Sequence, residues 1–107
     1  MATIANLVID QGATFSTTIT ITDEEGNLYD LTGHSGAAQM RKHYTSVSAT
    51  GFSVSLGAGT VTLSMNAATS NILTPGRYVY DVEITSNANV VSRIVEGIVT
   101  VTPNVTR

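Results

Sequence analysis

Along most of this chain apolar and polar residues alternate with a period of two. From 13 to 22 the sequence reads ATFSTTITIT, with Phe15, Thr17, Ile19 and Ile21 on one side and Thr14, Ser16, Thr18, Thr20 and Thr22 on the other. Successive side chains of extended backbone point to opposite faces, so the pattern predicts a half-buried strand with a hydroxyl-bearing outer face. The same alternation returns at Phe52, Val54 and Leu56 and again at Val61, Leu63 and Met65, with Gly57-Ala58-Gly59 as a hairpin turn between them. It is most regular in TPGRYVYDVEIT, positions 74 to 85: Tyr78, Tyr80, Val82 and Ile84 form the inner row, and Val79, Asp81 and Glu83 the outer. Further strands are predicted at Ile4 to Ile9, at Ala37 to Tyr44 with Ala38 and Met40 inward, and at Val90 to Val101 with a bulge at Gly97. Leu28 to Leu31 reads as a short extended piece.

The breaks between these runs are turn sequences. Asp10-Gln11-Gly12 is one. Asp23 to Asn27 is another, in which Gly26 supplies a positive φ and Asp23 bonds its own backbone. Only NAATSNIL, 66 to 73, departs from the period of two. Asn66 is placed to cap a helix of one or two turns that uses Ala67, Ala68, Ile72 and Leu73 and stops at Pro75 and Gly76. About seven short antiparallel strands at regular spacing, with one helical turn, predict an all-β sandwich or small barrel in which residues 1–107 form one domain.

Composition narrows what such a domain does. Charged residues make up 12% of the chain, against about 25% in ordinary globular proteins. Ser and Thr, roughly a quarter of the sequence, fill the difference, and a surface so poor in charge is weakly defended against association. The expectation is that neighbours cover its faces. Net charge is −3, and Arg41-Lys42 is the one adjacent basic pair, so there is no footprint for nucleic acid. With no cysteine, disulfides and thiolate metal sites are excluded. MATIANLVIDQ has neither the charged region nor the apolar run of a signal peptide, and no apolar run approaches a membrane span. The expected setting is a cytoplasm, followed by an assembly, with no membrane partner.

No catalytic constellation emerges. GHSG at 33 to 36 is not the G-x-S-x-G of a nucleophile elbow, because Gly36 follows Ser35 directly and a strand rather than a helix comes next. His34 and His43 do not share a spacing with Asp30 that argues for a metal site. Residues 23 to 27 lack the alternating oxygen ligands of a calcium loop. Asp81 and Glu83 share one face of a strand, where carboxylates keep a surface soluble or meet Arg41 or Arg93 across the sheet. GAGTVT lacks the third glycine and the helix of a phosphate loop. Asn104-Val105-Thr106 matches the glycosylation pattern, which has meaning only in a secreted chain. The expected cofactor, metal and catalytic complement is none. A carbohydrate-binding module remains an alternative; Tyr29 and Tyr44 are its candidate exposed aromatics, and they, with Arg41, are the candidate surface contacts.

Two resemblances carry the reading further. Leu73 in a helical turn, Gly76 in a tight turn, then Tyr78 two places before the core position Tyr80, resemble the start of strand F in an immunoglobulin-like domain. There a "tyrosine corner" bonds its hydroxyl back to the chain upstream, and the position of Tyr80 is taken by cysteine in antibody domains. Lacking the Cys pair and Trp, the chain is no antibody or receptor domain; the resemblance implies the architecture of an immunoglobulin-like β-sandwich. A second set of motifs covers nearly the whole chain: IDQG before an alternating Thr/Ile strand, DLTG before a strand ending QMRK, and PGRYVYDVEIT before IVEGIVTV. In this order they resemble the small immunoglobulin-like virion structural proteins of tailed bacteriophages, those of marine cyanobacteria in particular. More loosely, they are similar to the N-terminal domain of phage baseplate upper proteins, where that domain anchors a receptor-binding region. The chain stops at Arg107, so no separate receptor-binding module is expected. The resemblance implies a multi-copy, non-enzymatic part of a virion, assembled in the host cytoplasm and partnered by other virion proteins. The site in the particle is the tail (baseplate, collar or fibre attachment) or, alternatively, the outer capsid shell as a decoration protein.

Overall fold

Eight strands and one short helix account for the regular structure of the computed structural model, which describes residues 3–22 and 25–105. In chain order they are β1 (Thr3–Ile4), β2 (Leu7–Asp10), β3 (Phe15–Thr20), β4 (Ser35–Arg41), β5 (Thr50–Leu56), β6 (Thr60–Met65), α1 (Ala67–Asn71), β7 (Gly76–Thr85) and β8 (Val91–Thr102). The fold is all-β, with the strand order of an immunoglobulin-like sandwich. One wall is β1 and β2 beside β8, then β7 and β4; the other is β5, β6 and β3.

β5 joins the walls. Its first half, Thr50 to Phe52, pairs with Met40 to Ala38 of β4; its second half, Ser53 to Leu56, pairs with Ser64 to Val61 of β6. The sheet therefore curls through β5, and the inner faces meet across one apolar interior. The alternation assigns that interior. Tyr80, Val82 and Ile84 of β7, Val61, Leu63 and Met65 of β6, and Ala38 and Met40 of β4 are all buried there with Ile9, Val95, Val99 and Val101. Burying such aliphatic side chains contributes about 1.5–3 kcal/mol each, which makes this row the main source of cohesion.

Local chemistry shapes the connections. The Oδ1 of Asn66 accepts the amide of Thr69 at 2.8 Å and caps α1. Leu73 then turns into the core, while Ile72, expected to share in the helix packing, stays 79% exposed. The β5–β6 hairpin closes with Gly57 N–H on the Thr60 carbonyl, and Gly59 takes φ +74. Gly26 has a positive φ as expected; Asp23, expected to bond its own backbone, lies outside the described residues, as does Thr106 of the glycosylation pattern.

Three expectations need correcting. Not all strands are antiparallel: β1 and β2 run parallel to β8, Leu7 beside Val99 and Ile9 beside Val101. β4 ends at Arg41 rather than Tyr44, because the Arg41 guanidinium holds the following loop through the carbonyls of Ser46 at 2.6 Å and Val47 at 3.1 Å. The bulge lies at Ile94, not Gly97. Val82 pairs with Val95 and Glu83 with Arg93, leaving Ile94 as the extra residue, and both Ile94 and Val95 are buried. Gly97 has a different task. A Cβ there would lie 2.3 Å from the Ala5 carbonyl oxygen, so only glycine lets the segment between β1 and β2 approach β8 this closely.

Candidate contact surfaces and the tyrosine corner

The turn before β7 positions two tyrosines that do different things. Pro75 and Gly76, with Gly76 at φ +139, redirect the chain out of α1 into the strand. Two residues on, the Tyr78 hydroxyl donates to the Thr74 carbonyl at 2.6 Å, four residues upstream. This is the hydrogen bond of a tyrosine corner. Its ring is half-buried rather than enclosed, and the Lys42 ammonium sits 5.0 Å from the ring centroid, a cation–π distance that keeps the phenyl face dry while the charge stays in water.

Tyr80 is buried at the position where antibody domains carry a cysteine. Its ring lies edge-on to Phe52, centroids 6.1 Å apart, and Phe52 in turn meets Phe15 at 6.0 Å. The aromatic ladder Tyr80–Phe52–Phe15 thus links β7 to β3 across the interior through the shared strand β5. The Tyr80 hydroxyl donates to the Ala5 carbonyl, the group that Gly97 admits. Burial pushes the phenol pKa up to about 12, because ionising it would place an anion among apolar neighbours.

The candidate surface residues do not converge. Tyr29 is half-buried against the core at one end of the molecule, with its ring 6.4 Å from that of His34. Tyr44 is 78% exposed in the loop after the far end of β4. The two candidate aromatics of a sugar site therefore lie at opposite ends of one strand. Arg41 makes the loop contacts above and a further hydrogen bond from Nη2 to Gln39 Oε1 at 3.1 Å; its guanidinium is committed within the chain. Of the outer-face carboxylates, Asp81 meets Arg93 at 3.2 Å, as the cross-strand reading allowed.

A groove of about 540 Å³ runs between residues 28–34 and 56–59. The Thr32 amide donates to Asp30 Oδ1 at 3.0 Å and holds that carboxyl below its usual pKa. His34 Nδ1 lies 3.2 Å from the Thr32 carbonyl and donates to it. Ser35 starts β4 and has no imidazole bonded to its hydroxyl among the described contacts. The groove residues satisfy their own loop, and no three potential metal ligands cluster among the described residues.

The outer surfaces of the two walls differ. β3, β6 and β5 present only hydroxyls: Ser16, Thr18 and Thr20 beside Ser64, Thr62 and Thr60, with Ser53 and Ser55 next to these. One contact across this grid is a 3.0 Å hydrogen bond between Thr18 and Thr62. The wall of β1, β2 and β8 instead exposes three aliphatic side chains, Ile4, Val8 and Ile98, among the polar Asn6, Glu96 and Thr100, with Ile4 73% exposed. That these even-numbered residues face out together, while Leu7, Ile9, Val99 and Val101 face in, follows from the parallel pairing with β8.

No protein-family model and no curated protein matches the sequence. Among solved structures, the chain is similar to an internalin-like protein of Listeria monocytogenes, at 14% identity and a TM-score of 0.46. The alignment covers 96% of this chain and 28% of that one, so the chain spans little more than a quarter of that protein's length.

Proposed function

We propose that this chain is a non-enzymatic structural protein of a tailed-bacteriophage particle, present in many copies and placed in the tail as a baseplate, collar or fibre-attachment component. The motifs IDQG, DLTG and PGRYVYDVEIT, in that order, are the basis for the phage assignment. The observation in the fold that supports an assembly role is the combination of the exposed aliphatic side chains Ile4, Val8 and Ile98 on one wall with an uncharged hydroxyl face on the other. Exposed apolar side chains at and next to a sheet edge are what protein contacts cover. The polar groups of Asp30, Thr32 and His34 in the groove between residues 28–34 and 56–59 are turned to their own loop rather than converging on a ligand.

Purified particles from a phage encoding this chain provide the test. Antibody labelling in electron micrographs is expected to mark the tail, in a fixed number of copies per particle. Label spread over the capsid lattice would move the role to shell decoration. Absence of the chain from purified particles by mass spectrometry would refute a structural role altogether.

A further inference from the structure

We infer that β3 is a copy-to-copy edge: two molecules join their β3 strands antiparallel about a two-fold axis through Thr18. The inference goes beyond the function proposed above and holds whether or not the chain is found in a phage particle.

β3 ends the strand order and pairs only with β6 among the described residues. Its N-terminal neighbours β1 and β2 both lie on the other wall beside β8, so no strand among the described residues takes the place next to β3. Backbone direction on the vacant side follows from one bond. Ile21 N–H donates to the Gly59 carbonyl, toward β6. In an antiparallel ladder the N–H and C=O of one residue point the same way, alternating along the strand. Phe15, Thr17 and Ile19 therefore bond β6, and the amides and carbonyls of Ser16, Thr18 and Thr20 face the open side.

Side chains tell the same story. On the opposite edge, the inward residues of β2, Leu7 and Ile9, are buried; on β3 the inward Phe15, Thr17 and Ile19 stay only half-buried. Their flanks lack a neighbouring strand. β3 also carries none of the devices that shield a free edge: no proline, no charge and no bulge interrupt FSTTIT.

The occupant that fits is a second copy of β3. Centred on Thr18, the pairing sets Thr18 against Thr18 of the second copy and Ser16 against its Thr20, so every free backbone group of these three residues finds a partner. Hydroxyls then continue the outer grid across the axis, and Thr17 meets Ile19 on the inner side. A symmetric contact places each charge near its own copy, and this strand has none to repel.

The chain has no cysteine, so single cysteines read the register directly. Directly opposed residues of such a pair have Cα atoms about 5.5 Å apart, within the range a disulfide spans. Thr18→Cys, oxidised with copper phenanthroline at tens of micromolar protein, is expected to form linked dimer at least about tenfold faster than Ser53→Cys, which lies two strands in on the same face. Ser16→Cys mixed with Thr20→Cys should link, and each alone should not. All these positions are exposed, and circular dichroism checks that each variant keeps its strands. Equal rates for Thr18→Cys and Ser53→Cys overturn the inference. So does faster linking at Val8→Cys, which would put the contact on the other edge, or linking of Ser16→Cys alone, which would replace the two-fold register with another.

Discussion

Gly97→Ala probes the joint on which the N-terminal edge depends. The added Cβ would fall 2.3 Å from the Ala5 carbonyl oxygen, 2.9 Å from its carbon and 3.0 Å from Asn6 Oδ1. Two of these contacts are with backbone, which cannot swing aside like the tip of a side chain, so the segment between β1 and β2 must lift. Lifting it breaks the hydrogen bond from the Tyr80 hydroxyl to Ala5 and opens two more, Ala5 N–H to the Glu96 carbonyl and Ile98 N–H to Asn6 Oδ1. A buried hydroxyl left without a partner costs about 1–3 kcal/mol, and two opened bonds add about 1 kcal/mol each, for a total of about 3–5 kcal/mol. That is a large part of the stability of a domain this size. In a thermal melt it corresponds to a fall of at least about 12 °C. Gly51→Ala is the control: its Cβ would meet nothing nearer than the Ala38 carbonyl at 4.0 Å, and a glycine-to-alanine change at an unstrained site stabilises by about 0.4–1 kcal/mol. If Gly97→Ala melted within about 2 °C of the parent, the close approach of Ala5 to β8 would be wrong.

Other expectations follow from the same contacts. Tyr78→Phe removes the corner hydrogen bond to Thr74 while keeping the ring, and should cost about 1 kcal/mol in urea unfolding; a neutral result would show that the corner bond contributes nothing. Tyr80 has a folded-state pKa raised from 10.0 to about 12, so the neutral phenol favours the fold. The stability it contributes is complete below pH 10 and is lost as pH rises through 12. Alkaline melts should show this loss, and Tyr80→Phe should abolish it. Leu63→Ala, fully buried between the walls, should destabilise by about 2–5 kcal/mol; a smaller loss in denaturant melts would mean that the interior collapses around the site. Breaking the half-exposed Arg93–Asp81 pair with Asp81→Asn should change stability by less than about 1 kcal/mol and more at low salt than at high.

The rows that make the interior were legible because burial on one face leaves a period of two in the sequence. Tyr80, Val82 and Ile84 could be placed inside from spacing alone, as could Val61, Leu63 and Met65. The hairpin at Gly57 to Gly59 and the Asn66 cap were legible because turns and caps have local chemistry. Pairing partners were not. Nothing in LVID says that it runs parallel to β8, since the partner lies some ninety positions away in the register Leu7–Val99. That β5 serves both walls is likewise a property of curvature, not of TGFSVSL. The bulge was misplaced because glycine marks both bulges and close approaches; here Gly97 makes the approach and an ordinary aliphatic, Ile94, makes the bulge. Of the candidate surface residues, Arg41 looked available because a basic side chain near a strand's end is usually solvated, yet the carbonyls of the following loop claim it. The open edge at β3 left no mark in the sequence beyond a strand without charge.

Amide hydrogen exchange along β3, followed by NMR in dilute and concentrated protein, tests most directly whether this sandwich keeps one edge open for a neighbour. In dilute solution Thr17 and Ile19 should be protected by β6, with Ser16, Thr18 and Thr20 exchanging freely; on concentration the second set should become protected as well. Protection of Thr18 in dilute monomer, or free exchange of Thr17, would contradict the account.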